Sequence, residues 1–126
     1  MSPGVPLDLN RSALLVTPRA PFLNWAERHG NGVAYPVGEE RTVYLLPSYA
    51  LQDEVDEIVE HYHDLIFETE LEDWVRDESA WPTDRNYALF REWFDVEVHS
   101  VVLDLVAGEP LVEDDDHLPR GNHEEP

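Results

Sequence analysis

The densest set of side chains that could do chemistry lies in EHYHDLIFETELEDW, residues 60–74, which holds two histidines and six carboxylates. Imidazole and carboxylate groups serve as metal ligands and as general acids and bases. On a β-strand, His61 and His63 would share a face and bind one metal ion together, whereas on a helix they point about 200° apart. What this stretch can do therefore depends on the secondary structure that carries it.

The segment from residue 51 to residue 75 has the apolar spacing of a helix. The pattern i, i+3, i+4, i+7, i+10 and i+11 predicts a helix with one buried stripe, on which His61 and His63 diverge. Beyond residue 66 the apolar set is advanced by one position, about 100° around the axis, which predicts a break, a kink or a bulge at residues 66–70. The first set is Val55, Ile58, Val59, Tyr62, Leu65 and Ile66, and the second is Phe67, Leu71, Trp74 and Val75.

A row of charged residues lies opposite the buried stripe of this predicted helix. Residues three or four positions apart on a helix are neighbours, so the row forms one continuous face. Residues 49–78 hold twelve acids against one arginine, a net charge of eleven negative units. Either this face is simply solvated, or it binds a basic protein surface, and we adopt the second interpretation. Its residues are Glu57, Glu60, His61, Asp64 and Glu68. Trp81 of the loop AWPTD is either an aromatic anchor for the partner or, as the plainer account, a residue that packs over the end of the long helix.

A metal-dependent enzyme is the alternative interpretation. It would use His61, His63 or His99 with nearby carboxylates, because nitrogen and oxygen ligands suit hard or borderline divalent ions. Glu60 and His63 have the ExxH spacing of di-metal carboxylate bundles, but the chain contains no second ExxH pair. We therefore predict no cofactor and no metal under the preferred interpretation, and these three histidines as ligands under the alternative.

A second group of candidate residues lies in VEVHSVVLDLV, the predicted last strand. Glu97 and His99 alternate onto one face of a strand and could approach the same ligand, while Asp104 lies on the opposite face in an apolar run. A buried carboxylate needs a partner. The sequence thus predicts either an ion pair of Asp104 with Arg11 or Arg19, or a role for Asp104 or His99 as a general acid or base.

The remaining elements follow from apolar runs and from helix and strand breakers. Strands are predicted at residues 12–17, 41–47 and 96–106, the last inside the sheet because its centre is apolar on both faces. Helices are predicted between Pro21 and Gly30, over residues 51–75, and from a cap at Thr83 or Asp84 to Asp95. The fold class is α+β, a three-stranded sheet with three helices in the order β-α-β-α-α-β, packed mainly on one face. A parallel right-handed crossover would join the first two strands.

Composition limits the domain organisation and the partners. We predict a flexible leader at residues 1–9, a single domain at 10–106 and a disordered acidic tail at 107–126. The charge of −20, with eight arginines and no lysine, disfavours nucleic acid and anionic membranes, although it could also reflect habitat or solubility. With no cysteine and no apparent signal peptide, the expected location is the cytoplasm; oligomeric state stays open.

Three stretches carry a resemblance: NRSALLVTPRAPFLNWA (10–26), TVYLLP (42–47) and EWFDVEVHSVVLDL (92–105). Together they resemble a set of short acidic bacterial proteins without an assigned activity, some of which carry the lipoprotein name VacJ. The sequence departs from a lipoprotein because it has no signal peptide and no cysteine to lipidate. The resemblance implies a compact bacterial domain and supplies no catalytic residues.

Overall fold

The structure is a computed structural model, and it describes residues 5–30, 41–106 and 108–114. The three predicted helices are present, as is a three-stranded sheet, and two additional short strands form a second sheet. The elements in chain order are β1 (Leu7–Asp8), β2 (Arg11–Pro18), α1 (Ala20–His29), β3 (Thr42–Pro47), α2 (Val55–Trp74), α3 (Tyr87–Trp93), β4 (Phe94–His99) and β5 (Leu103–Asp104), with single 3-10 turns at Gln52–Glu54 and Glu78–Ala80.

The larger sheet has the strand order β3-β2-β4, and both pairings are antiparallel. Leu14 of β2 lies opposite Tyr44 of β3 and Val98 of β4. The predicted parallel crossover between the first two strands is therefore wrong, as is the central position predicted for the last strand. Strand β2 takes the centre, and its residues are buried on the face toward the core and mostly half-buried on the other face.

The predicted strand at residues 96–106 is divided in two. Strand β4 ends at His99, the chain bends, and β5 pairs with β1 instead of continuing along β2. The N–H of Leu9 donates to the carbonyl of Val102 at 2.9 Å, so residues 7–9 of the predicted leader carry backbone pairing. Residues 1–4, 107 and 115–126, parts of the predicted leader and tail, lie outside the described residues.

The core lies between the helices and one face of the larger sheet. All four phenylalanines are fully buried, and the ring of Phe22 lies 4.9 Å from that of Phe94 and 5.7 Å from that of Trp74. On the other face of the sheet Val43 and Leu45 are 61% and 46% exposed. The helices thus cover one face, in keeping with the predicted layer arrangement.

Helix α1 has the predicted breakers at both ends. Pro21 occupies its first turn, where a missing N–H costs no intrahelical bond. Gly30 follows the last residue, and its N–H donates to the carbonyl of Ala26 at 2.8 Å. A Cβ atom at position 30 would lie only 2.7 Å from that carbonyl oxygen, so the close approach requires glycine.

Helix α2 begins after a turn that is fixed by Glu54. One carboxylate oxygen of Glu54 accepts the backbone N–H groups of Ala50 and Leu51, each at 3.0 Å. The bonds from Leu51 and Ala50 lower the pKa of Glu54 from its usual value. Because it stays ionised, this carboxylate also complements the positive end of the helix.

The predicted break at residues 66–70 is absent, and α2 is one continuous helix of 20 residues. Its buried face widens toward the C-terminal half, where Phe67, Leu71 and Trp74 join Ile66 in the core. The change in apolar register is thus accommodated by a broader contact with neighbouring elements, without a break in the helix. Leu65, predicted to lie on the buried stripe, is 64% exposed.

Among the residues that the structure describes, the buried acid is Glu70, which sequence reasoning did not single out. It is 1% exposed on the wide face of α2, and its Oε2 accepts the hydroxyl of Tyr44 at 2.5 Å. Asp104, for which burial was predicted, is half-buried and accepts the N–H of Val106 at 2.9 Å. Its predicted pairing with arginine is not found among the described residues, since Arg11 donates to Asn10 instead.

Helix α3 is capped by Asn86, not by Thr83 or Asp84 as predicted. Its Oδ1 accepts the N–H of Leu89 at 2.8 Å, satisfying one of the free donors of the first turn. We expect Asn86→Ala to lower the free energy of unfolding by about 1 kcal/mol, measured by urea denaturation. Asn24→Ala, on the exposed side of α1, is the control and should leave stability unchanged or slightly higher. Equal losses from both variants would contradict the capping role.

Candidate functional site

The outer face of α2 carries the residues predicted to bind a partner. Glu57, Glu60, His61 and Asp64 are exposed, and Glu68 is half-buried. The helix has eight acids and no lysine or arginine along its whole length. Its surface is therefore strongly negative, and the continuous helical geometry holds these side chains in a fixed relation to one another.

Two of these acids are bound by an arginine of the same chain. The guanidinium of Arg85 lies 3.3 Å from the carboxylate of Asp64 and 2.6 Å from that of Glu68, and its third nitrogen donates to the carbonyl of Pro82 at 2.9 Å. Arg85 is 21% exposed, so part of this cluster is shielded from solvent. Asp64 and Glu68 thus hold the loop before α3 against α2, whereas Glu57 and Glu60 extend from the helix beyond this cluster.

Trp81 packs over the C-terminal end of α2. Its indole N–H donates to the carbonyl of Val75 at 2.7 Å, and the Arg85 guanidinium lies 5.9 Å from the ring centroid. The side chain is half-buried. This position agrees with the packing account of Trp81, and the Arg85 guanidinium lies over its ring.

The two neighbouring histidines of α2 have different surroundings. His61 is exposed, and its ring meets that of Tyr62 edge-on at 4.7 Å. His63 is half-buried, with Nδ1 at 2.6 Å from the carbonyl oxygen of Glu60 and Nε2 at 3.1 Å from that of Arg85. Both nitrogens of His63 are engaged by backbone oxygens, so metal binding there would require breaking these contacts.

His99 lies on a different element, strand β4, and contacts a carboxylate within that strand. Its Nε2 is 2.7 Å from the carboxylate of Glu97, and both side chains are more than half exposed. Their shared face was predicted from strand alternation. Among residues 5–30, 41–106 and 108–114, no three His, Asp or Glu side chains are grouped so that they could hold a metal ion.

A tyrosine that sequence reasoning missed joins α3 to the first turn of α2. The hydroxyl of Tyr87 donates to Asp56 at 2.6 Å, and Arg91 contacts both that hydroxyl and the same carboxylate at 3.2 and 3.8 Å. Burial raises the pKa of Tyr87, and the hydrogen bond to Asp56 raises it further. Asp56 and Tyr87 are 31 positions apart, so local sequence spacing contains no signal for this pair.

An exposed leucine borders the acidic face. Leu65 follows His61 by four positions, one helical turn, so the two side chains are neighbours on α2. It is 64% exposed and adds an apolar group at the border of the charged row. Protein-binding surfaces combine apolar area with polar and charged groups in this way.

Comparison with protein-family models yields no matching family. The curated proteins and the solved structures likewise yield no significant match. The resemblance to short acidic bacterial proteins therefore stays a prediction. No helix in the described part of the chain has both the length and the apolar composition that crossing a bilayer requires.

Proposed function

We propose that this protein is a binding module that presents the outer face of α2 to a basic protein surface. The observation that carries the proposal is the exposure of Glu57, Glu60 and His61 on a helix that has eight acids and no lysine or arginine. The exposed Leu65 at the border of this face supplies apolar area for a contact, while the carboxylates select a partner of opposite charge.

The charge of the whole chain supports the same proposal. At −20, the protein attracts a positively charged surface over several ångströms and repels phosphate backbones and anionic lipids. Electrostatic attraction of this kind chiefly raises the association rate and excludes wrong partners. The proposed partner is accordingly a protein rich in Lys or Arg, with no nucleic acid and no membrane involved. A cytoplasmic location belongs to the proposal, since the sequence offers no cysteine for disulfides.

The acids of the face have separate roles within this proposal. Asp64 and Glu68 contribute to the negative field but are committed to Arg85. Glu57 and Glu60, with Leu65, are then the residues that meet the partner directly. Reversing the charge of Asp64 or Glu68 would disturb the contact with Arg85 as well as the surface, so the test uses Glu57 and Glu60.

The double variant Glu57→Lys/Glu60→Lys is expected to weaken partner binding by at least about tenfold and to reduce its salt dependence. The partner is first captured from a lysate of the source cells by cross-linking to the wild-type chain, then purified and titrated by calorimetry. Leu65→Ser should also weaken binding by about tenfold, without changing the salt dependence.

The matched control is Glu109→Lys/Glu113→Lys, which makes the same change in net charge at two exposed acids outside α2. It is expected to bind within about threefold of the wild type, since charges that do not contact the partner are largely screened at physiological ionic strength. Equal losses in the two double variants would mean that only net charge matters. That result would remove α2 as the binding face.

A further inference from the structure

The imidazole of His63 faces two hydrogen-bond acceptors. Its Nδ1 lies 2.6 Å from the carbonyl oxygen of Glu60 in the same helix, and its Nε2 lies 3.1 Å from the carbonyl oxygen of Arg85, 22 positions along the chain. The ring is half-buried between α2 and α3, where it also packs against Tyr87 and Phe90 at centroid distances of 5.5 and 6.0 Å.

The number of protons on this ring decides how many of the two contacts are hydrogen bonds. A carbonyl oxygen only accepts, and a neutral imidazole has one N–H group and one bare nitrogen. In the neutral ring, one of the two nitrogens would therefore point a lone pair at a carbonyl oxygen. The doubly protonated ring donates to both. The observed geometry is satisfied in full only by the protonated form.

We propose that His63 is a proton-operated clamp between α2 and the loop that precedes α3: the doubly protonated ring holds the Arg85 carbonyl, and the neutral ring releases it. Histidine is the side chain type whose unperturbed charge change falls between pH 5 and pH 8, so this is the range in which the clamp is tested. The contact to Glu60 is shorter and lies within one helix, so it is the contact that a single remaining N–H group retains.

Loss of the hydrogen bond to the Arg85 carbonyl weakens the neighbouring contacts that hold this loop and begin α3. The next residue, Asn86, caps α3 through Leu89, and its carbonyl accepts the N–H of Phe90 at 3.1 Å. The Arg85 side chain carries the contacts to Asp64 and Glu68. A neutral ring at His63 thus loosens the first turn of α3. This inference does not depend on whether α2 binds a partner.

Several charged or titratable groups surround the ring, and they set the background for any pH response. On α2 these are Glu60, three positions before His63, and Asp64, the residue after it, with Glu68 bound to Arg85. From the loop comes the Arg85 guanidinium. From α3 comes Tyr87, which contacts Asp56 and Arg91. The raised pKa of Tyr87 keeps that phenol neutral between pH 5 and pH 8, so it does not titrate with the histidine.

The test follows the ring and the loop in the same ¹⁵N-labelled full chain between pH 5 and pH 8. Two-bond ¹H–¹⁵N spectra report whether one or both ring nitrogens of His63 carry a proton. Solvent exchange of the Leu89 and Phe90 amides, corrected for its intrinsic pH dependence, reports the start of α3. We expect exchange to become roughly tenfold faster as the ring loses its second proton, with one common midpoint, since one net hydrogen bond is lost.

Two variants separate the clamp from other effects of pH. His63→Gln should abolish the pH-dependent step in exchange, while His61→Gln, which alters an exposed histidine two positions away, should leave it intact. Exchange that does not follow the His63 ring in the wild type would overturn the clamp, as would a singly protonated ring with full protection. The wild-type comparison decides the question even if the His63 variant fails to fold.

Discussion

Replacing Phe67 with alanine is expected to lower the free energy of unfolding by about 3–5 kcal/mol. Phe67 is fully buried at the middle of α2, where the helix turns its wide apolar face to the core. Its ring centroid lies 5.9, 5.7 and 5.4 Å from those of Phe90, Trp93 and Phe94. The substitution removes the transfer free energy of the ring and leaves a cavity that these neighbours fill only in part. Urea denaturation followed by circular dichroism measures the loss.

Leu65→Ala is the matched control for this prediction. It removes an apolar side chain two positions away on the same helix, but from a residue that is 64% exposed. We expect a change within about 0.5 kcal/mol, since surface substitutions away from special features have small effects. Losses of similar size at the two positions would contradict the burial of Phe67 and the exposure of Leu65, and with them the continuous path of α2.

The second large effect is expected from Tyr44→Phe, which removes the hydroxyl that donates to the buried carboxylate of Glu70. Leaving a buried acceptor without its donor costs about 1–3 kcal/mol, because water cannot take the donor's place. Glu70 is 1% exposed, so water does not readily replace the missing hydroxyl. The free energy of unfolding should therefore fall by about 1–3 kcal/mol, measured in urea at neutral pH.

A double-mutant cycle tests whether this loss of stability comes from the hydrogen bond between Tyr44 and Glu70. In the background of Glu70→Leu, which replaces the acid with an apolar side chain, Tyr44→Phe should cost less than about 0.5 kcal/mol because no buried acceptor remains. The cycle also subtracts any effect of Tyr44→Phe that does not depend on Glu70. Equal costs of Tyr44→Phe in both backgrounds would show that the hydroxyl acts elsewhere.

The helices were largely predictable because their evidence is local. Pro21 and Gly30 bracket α1 as predicted, and the apolar spacing located α2. The break predicted after Ile66 failed for a reason that spacing cannot reveal. A helix that is contacted by several elements buries a wide face, and the width depends on the neighbours and not on the helix itself. The same reason explains why Leu65 was assigned to the buried stripe.

The sheet was less predictable because strand order is a non-local property. The apolar character of residues 96–106 was consistent with a central strand, yet β4 lies at an edge and the chain leaves it at His99. The pairing of β1 with β5 joins two dipeptides that are far apart in the sequence. Leu7 of the first lies opposite Asp104 of the second. Neither dipeptide is long enough to show strand alternation.

The candidate site shows the same division between local and distant information. The acidic face of α2 followed from helical spacing. Its internal partner did not, since Arg85 lies 17 positions beyond Glu68 in a loop without periodicity. The double contact of His63 was hidden as well, because one acceptor is a backbone carbonyl, and every residue carries a carbonyl whatever its side chain.

The position of β2 between its two partner strands affects how the protein is made. Ala13 pairs with His99, which follows it by 86 positions. At about 5–20 residues per second, translation delivers β4 roughly 4–17 s after β2 has been synthesised. During that interval one edge of β2, with the buried side chains Leu14 and Val16, lacks its final neighbour. The nascent chain is therefore most exposed to aggregation and to chaperone binding before β4 leaves the ribosome.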